Sequence, residues 1–359
     1  MCTIQSDIWS SEIRLAVDGG GGKQLASVAD GERYAAITGW GRYVPERVLT
    51  NADLMKLVAT DDEWIVSRTG IRERRIAAPD ETTATMATAA ARGALDTAGL
   101  TPGEIDLIIV ATASPDYLFP STACIVQHQL GIASIPAFDL GAACSGFVYA
   151  LGTATQFIRT GMYRRILVIG SETLSRFTDY TDRRTCILFG DGAGAVVLEA
   201  TDQPRGVLSL TMHADGAGSA LLGIPGLGSA RPASPELLEA HGQFIAMEGG
   251  EVFKFAVRAM SDAALEAVQL AEMRMSDVDL LVPHQANLRI IDAAAKRLDL
   301  PRERVWVNIE KYGNTSAASI PISLCEAEEQ GRLRDGANLL LVAFGGGLTW
   351  AASMVRWGR

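Results

Sequence analysis

The sequence predicts an α/β protein made of two similar halves packed together. Three observations carry that expectation. From residue 34 onward, short continuous apolar runs alternate with alanine-rich stretches of helical length, the pattern of strands buried on both faces between helices. The second half then repeats the first: "TPGEIDLIIVATAS" (101–114) has an echo in "RMSDVDLLVPHQAN" (274–287), and the glycine turn at 189–194 in "AFGGGLTWAASMVRW" (343–357). Finally, 36 glycines in 359 residues exceed the usual share of roughly 7%, which suits many tight turns and close backbone approaches.

Residues 1–33, with "DGGGGK" and no sustained periodicity, read as a flexible N-terminal extension. The Gly-Lys there is no phosphate loop, because Gln24 stands where Ser or Thr would hold magnesium. Residues 34–203 form the first half and 204–359 the second. "TATMATAAARGALDTAGL" (83–100) predicts a helix stopped by Gly99. "IDLIIVATAS" (105–114) and "RRILVIGSE" (164–172) predict buried strands, and "FVYALGTATQFIRTG" (147–161) the helix between them. "CILFGDGAGAVVLEA" (186–200) predicts strand, glycine turn, strand; its glycine spacing is not that of a dinucleotide site.

The net charge of −10 argues against a general nucleic-acid binder. The 5 cysteines are widely spaced and show no CxxC pair, which suits a reducing cytoplasm and neither a disulfide framework nor a metal site. No apolar run reaches membrane-spanning length, and the N-terminus does not read as a secretory signal.

Three loops hold candidate chemistry. Cys144, in "GAACSGF" (141–147), stands at the mouth of a helix, whose N-terminal N–H groups favour a thiolate; a small core hydrophobe is the other reading. His284, in "LLVPHQANLRI" (280–290), follows a buried strand, where α/β sites gather, and could equally cap the next helix. Asn314, in "NIEKYGNTSAASIP" (308–321), could be a turn residue or a helix cap.

Taken together, "GAACSGF", "VPHQANLRI", "YGNTSAASIP" and "AFGGGLTW" resemble the thiolase superfamily, and within it β-ketoacyl-acyl carrier protein synthase III, the initiating condensing enzyme of fatty acid synthesis. "ERYAAITGWGRYVPERVLTNADL", "DEWIVSRTGIRERRI" and "FGDGAGAVVLEA" resemble the same family, so the likeness runs from about residue 33 to 358. It implies a thiolase-like fold, two duplicated α/β halves in a five-layered αβαβα arrangement. It also implies a ping-pong reaction: Cys144 takes an acyl group from an acyl-CoA, acetyl-CoA or a similar short primer. Malonyl-acyl carrier protein then loses CO2, and its enolate attacks the acyl-Cys144 thioester.

The residue types suit those steps. An oxyanion or enolate needs aimed donors, and His284 and Asn314 supply them for the enolate. By resemblance, the N–H groups of Cys144 and Gly346 serve the tetrahedral intermediate. Asn314 separates this pattern from elongating synthases, which carry a second histidine there, and "FGGGLTW" lacks the second cysteine of degradative thiolases. The resemblance also assigns coenzyme A contacts to Trp64, Arg68, Arg183, Gly249 and Asn287. Carrier contacts fall on Lys254, Arg258, Gln285, Ala286, Asn287, Leu288 and Arg289. Phe119 matches a position whose side chain closes the acyl pocket of the partner subunit in a homodimer. Residues 213–248 are longer than the family leads one to expect. No cofactor and no metal are implied. The competing readings are an acyltransferase of the same fold acting on an oxygen or nitrogen nucleophile, against which the enolate-stabilising pair argues, and a catalytically silent scaffold subunit, against which Cys144 argues.

Overall fold

The computed structural model describes residues 33–358, so all of the predicted extension except Arg33 lies outside the described residues. The first sheet uses strands β1 (Tyr34–Tyr43), β2 (Leu107–Ala111), β3 (Ala137–Leu140), β4 (Arg165–Glu172) and β5 (Gly192–Thr201) in the order β1-β5-β4-β2-β3. The second uses β6 (Gly206–Ala214), β7 (Leu280–Pro283), β8 (Asn338–Gly345) and β9 (Thr349–Arg356) in the order β6-β9-β8-β7. Starting from β1 and from β6, the pairing runs antiparallel, antiparallel, parallel in both sheets. The echo in the sequence is thus an echo in topology.

Strand alternation builds the layers. Leu107 and Ile109 of β2 face Phe147 and Leu151 of helix α4 (Gly146–Arg159) and Ile320 and Leu324 of α7 (Ser319–Glu329), in a cluster that also holds Leu280, Val282, Leu339 and Leu341 of the second sheet. Their neighbours Ile108 and Val110 point the other way, onto α2 (Thr83–Ala98) and α3 (Thr122–Gln129). Leu281, Leu340 and Val342 likewise pack against α5 (Gly249–Leu270) and α6 (Leu288–Arg297). Outer helices, sheet, central helices, sheet and outer helices make the αβαβα arrangement. Strands covered on both faces read as unbroken apolar runs because both of their faces are core.

Most predicted elements fall where the pattern puts them. Gly99 ends α2 in the left-handed conformation at φ 69°, as its C-terminal position requires. One does not: residues 186–189 form turns and a single bridge between Phe189 and Asn314 rather than a strand. The run is apolar because it lies in a buried cluster with Ile65, Ile71 and Leu174, not because it pairs in a sheet.

Candidate active site

Cys144 sits in a short 3-10 turn, Ala143–Ser145, between β3 and the first turn of α4. Ala143 has φ 44° and Ser316 has φ 47°, a conformation few non-glycine residues adopt and one that concentrates at functional sites. Gly345 closes β8 against this turn: a Cβ there would stand 2.5 Å from the Cys144 amide nitrogen.

Two cavities meet at Cys144. One, of about 230 Å³, is walled by Leu174, Phe189, Leu222, Ile224 and Ile245, with Ala143, Ser316 and Gly346 beside the cysteine. The other, of about 670 Å³, is lined by Cys144, His284 and Asn314 together, and runs past Gly249, Phe253 and Asn287 to Trp64 and Arg68. The three predicted side chains therefore face one space, although 140 residues separate Cys144 from His284. Leu222, Ile224 and Ile245 all come from the long segment 213–248, which builds one wall of the smaller cavity.

The electrostatics differ from the expectation for Cys144. Burial pushes its thiol up to about 12, the Glu172 carboxylate adds to the rise, and the Ser316 hydroxyl only offsets part of it. Desolvation of the sulfur outweighs the two groups that lower it, the Ser316 hydroxyl and the Cys144 N–H. His284 is 1% exposed, and burial pushes its imidazole down to about 3. Its Nδ1 lies 2.7 Å from Ser319 Oγ, and its Nε2 is buried without a protein partner. Asn314 Oδ1 accepts from the Ser316 N–H at 2.9 Å, which leaves its NH2 end for the cavity. The Asn314 main chain is clamped by Leu188 and Gly190, through 2.8 and 3.0 Å bonds.

One buried acid was not foreseen. Glu172, at the end of β4, accepts from Ser114 Oγ at 2.5 Å and from the Ala113 and Ala317 N–H groups, and burial raises its pKa. It ties the first sheet to the 316–318 turn. The signal was a lone acid closing an apolar strand.

With this geometry in view, comparison with known proteins gives a consistent answer. Residues 138–216 match the model for 3-oxoacyl-[acyl-carrier-protein] synthase III and residues 268–357 the model for its C-terminal part. The chain is 55% identical over 324 residues to a beta-ketoacyl-[acyl-carrier-protein] synthase III from Roseiflexus sp. (strain RS-1), covering 90% of this chain and 98% of the relative. The chain belongs to the 3-oxoacyl-[acyl-carrier-protein] synthase III family. The family's fold is equally evident: the Aquifex aeolicus synthase III crystal structure superposes with TM-score 0.84 at 50% identity, covering 90% of this chain and all of that one (100%). The priming β-ketosynthase of the R1128 polyketide pathway superposes with TM-score 0.86 at 36% identity, covering 92% of this chain and 98% of that one.

Trp64, on α1 (Asp62–Thr69), is flanked by the guanidinium groups of Arg68 and Arg183, 4.9 and 5.1 Å from its ring centre. Arg184, rather than the predicted Arg183, joins Arg68 on the cavity wall, while Arg183 donates to the Ala59 carbonyl at 3.0 Å. Lys254, Arg258 and Arg289 are exposed; Arg289 lies over the Phe253 ring at 5.4 Å, and Lys254 pairs with Glu251 at 2.9 Å.

Others face inward. Gln285 is 1% exposed and no surface residue: its amide donates to the Pro283 carbonyl and accepts from the Asn308 N–H. Ala286 is also buried, and Leu288 packs on the α1 cluster. A strand-to-helix corner needs its polar groups satisfied internally, so only part of "QANLR" reaches solvent. Asn287 caps α6 and donates to the Arg68 carbonyl at 2.9 Å, joining the α1 wall to the α6 wall. Phe119 is 86% exposed and lines neither cavity of its own chain.

His213 and His241, unassigned from sequence, pair with Glu266 at 2.8 Å and Asp179 at 2.5 Å. The second pair fastens segment 213–248 to the loop that carries Arg183.

Proposed function

We propose that this chain condenses an acyl-CoA primer with malonyl-acyl carrier protein, releasing CoA and CO2 and forming a 3-oxoacyl-acyl carrier protein, the initiating step of fatty acid synthesis. The observation that carries the reading is the junction of two cavities at Cys144, with His284 and Asn314 on the larger one. Cys144 Sγ attacks the thioester carbonyl and the bond to CoA sulfur breaks, CoA leaving as the thiol. The acyl group then occupies the smaller cavity, whose apolar wall favours an unsubstituted hydrocarbon primer of acetyl or similar type. Gly346 and the Cys144 N–H hold the oxyanion. Malonyl thioester next enters along the larger cavity and loses CO2. His284 and Asn314 donate to the enolate oxygen, and the enolate carbon attacks the acyl-Cys144 carbonyl, whose bond to Sγ breaks as the 3-oxoacyl-acyl carrier protein leaves and Cys144 returns to the thiol. A neutral imidazole suits this work, since a cation would hold the malonate carboxylate instead of releasing it as CO2.

Trp64, Arg68, Arg183, Gly249 and Asn287 take coenzyme A, the arginines meeting its phosphates. Lys254, Arg258 and Arg289 face the acidic carrier. The exposed run Tyr117, Leu118 and Phe119 is covered by a second copy of the chain, in keeping with a homodimer. Free thiols at Cys124, Cys144, Cys186 and Cys325 suit a reducing cytoplasm.

The test separates the half-reactions. Labelled acetyl-CoA leaves an acyl adduct on Cys144, read by mass spectrometry, and Cys144→Ala abolishes it. Asn314→Ala keeps the adduct and loses roughly 100- to 1000-fold in CO2 release from malonyl-carrier protein, the usual cost of one oxyanion donor. An adduct with no CO2 release in the parent chain would mean acyl transfer to another nucleophile, and no adduct a silent subunit. Acetyl-, isobutyryl- and octanoyl-CoA in parallel rank the primers.

A further inference from the structure

We infer that Ser319 is the positioning residue that turns His284 into a donor, by fixing its imidazole in the tautomer protonated on Nε2. The inference rests on the donor role of His284 proposed above and assigns the group that enforces it.

Ser319 is the first residue of α7 and is 2% exposed. Its Oγ lies 2.7 Å from His284 Nδ1 and 3.3 Å from the Gln285 backbone nitrogen. A backbone N–H can only donate, so the Ser319 oxygen accepts there. Among the described hydrogen bonds, the hydroxyl proton of Ser319 then has one acceptor, the Nδ1 lone pair. An imidazole that accepts at Nδ1 and is neutral carries its proton on Nε2. That nitrogen is buried, has no protein partner, and belongs to a side chain that lines the cavity with Cys144 and Asn314.

The alternative tautomer is worse on two counts. It would leave the Ser319 proton without an acceptor in a buried site, where an unmade hydrogen bond is costly. It would also aim a lone pair, not an N–H, at an oxygen that becomes negative during decarboxylation. Asn314 is handled in the same way, its acceptor end committed to a backbone N–H so that only its donor end remains. The two donors are thus given their polarity by partners outside the reacting set, both from the segment 316–319. Burial keeps the imidazole neutral, so the tautomer is the only thing left to choose.

Nitrogen-15 spectra of the histidine-labelled full chain test this without any substitution at Ser319. The expected result is a His284 imidazole with a protonated Nε2 and an acceptor Nδ1, its signals assigned by their loss in His284→Ala. A proton on Nδ1 overturns the inference. Ser319→Ala gives the functional arm: mixed tautomers for His284, retained acetyl-Cys144 formation, and CO2 release from malonyl-carrier protein lowered by about 10- to 1000-fold, the upper limit being outright loss of one donor. Wild-type CO2 release in Ser319→Ala, alongside loss in His284→Ala, overturns the role of Ser319 and leaves the donor reading standing. Wild-type CO2 release in His284→Ala overturns the donor reading itself.

Discussion

Burial holds the Cys144 thiol up, to about 12, which disfavours a preformed thiolate at neutral pH. The sign of the shift fixes a pH dependence. Raising a thiol from its ordinary ~8.5 toward 12 lowers its thiolate fraction at every pH below that range. Alkylation of Cys144 by iodoacetamide, followed by peptide mass spectrometry, should therefore keep accelerating through pH 9 with no plateau. A plateau near pH 7 would mean that the helix N-terminus outweighs burial after all. The residue type and its place before a helix could be read from "GAACSGF". The apolar wall that reverses the shift could not, because Leu174, Phe189, Leu222 and Ile245 come from three other stretches of chain.

At the scale of elements, the site depends on close approach between β4 and the 316–318 turn. A Cβ on Gly170 would stand 2.2 Å from the Ala317 carbonyl oxygen, so this strand position must be bare for the turn to seat. Gly170→Ala should cost about 1–3 kcal/mol of stability through overpacking. It should also impair CO2 release more than Cys144 acylation, since the displaced turn follows Asn314; denaturant melts and the two half-reaction assays measure both. Wild-type values in each would show that the turn is not seated by this contact. The helices at 146–159 and 83–98 and the strands at 107–111, 165–172 and 192–201 were legible because periodicity and end signals act locally, as where Gly99 stops α2; that Asn287 rather than His284 caps α6 came only with the structure. Residues 186–189 were misread because an apolar run says only that it is buried, not what it pairs with. Gln285 was placed at the surface because a motif carries no statement of which side chains turn inward.

For the whole molecule, the net charge of −10 opposes an acidic carrier, so the docking proposed above requires a local concentration of cations around the larger cavity. Lys254, Arg289 and Arg68 line that cavity and are exposed, and Arg258 is exposed one helical turn beyond Lys254. The double variant Lys254→Glu with Arg289→Glu should raise KM for malonyl-carrier protein by about 10-fold or more, as like charges brought together cost on the order of 1.4 kcal/mol or above. The rate of acetyl-Cys144 formation from acetyl-CoA should change far less. Added salt should weaken carrier use in the parent chain and do so less in the variant, because the screened attraction has been removed. An unchanged KM for the carrier would move the docking face elsewhere.

By itself the sequence determined the α/β class, the repeat of one half in the other, the buried strands at 107–111, 165–172 and 192–201, and which sulfur, imidazole and carboxamide to look for. Those are properties of neighbouring residues, or of a motif whose spacing is preserved along the chain. The tertiary structure alone decided that the three groups share one cavity, that segment 213–248 walls the smaller one, and that burial sets the protonation of Cys144 and His284. Desolvation and hydrogen-bond polarity depend on which distant segments close around a group, and that is a sum over the folded molecule.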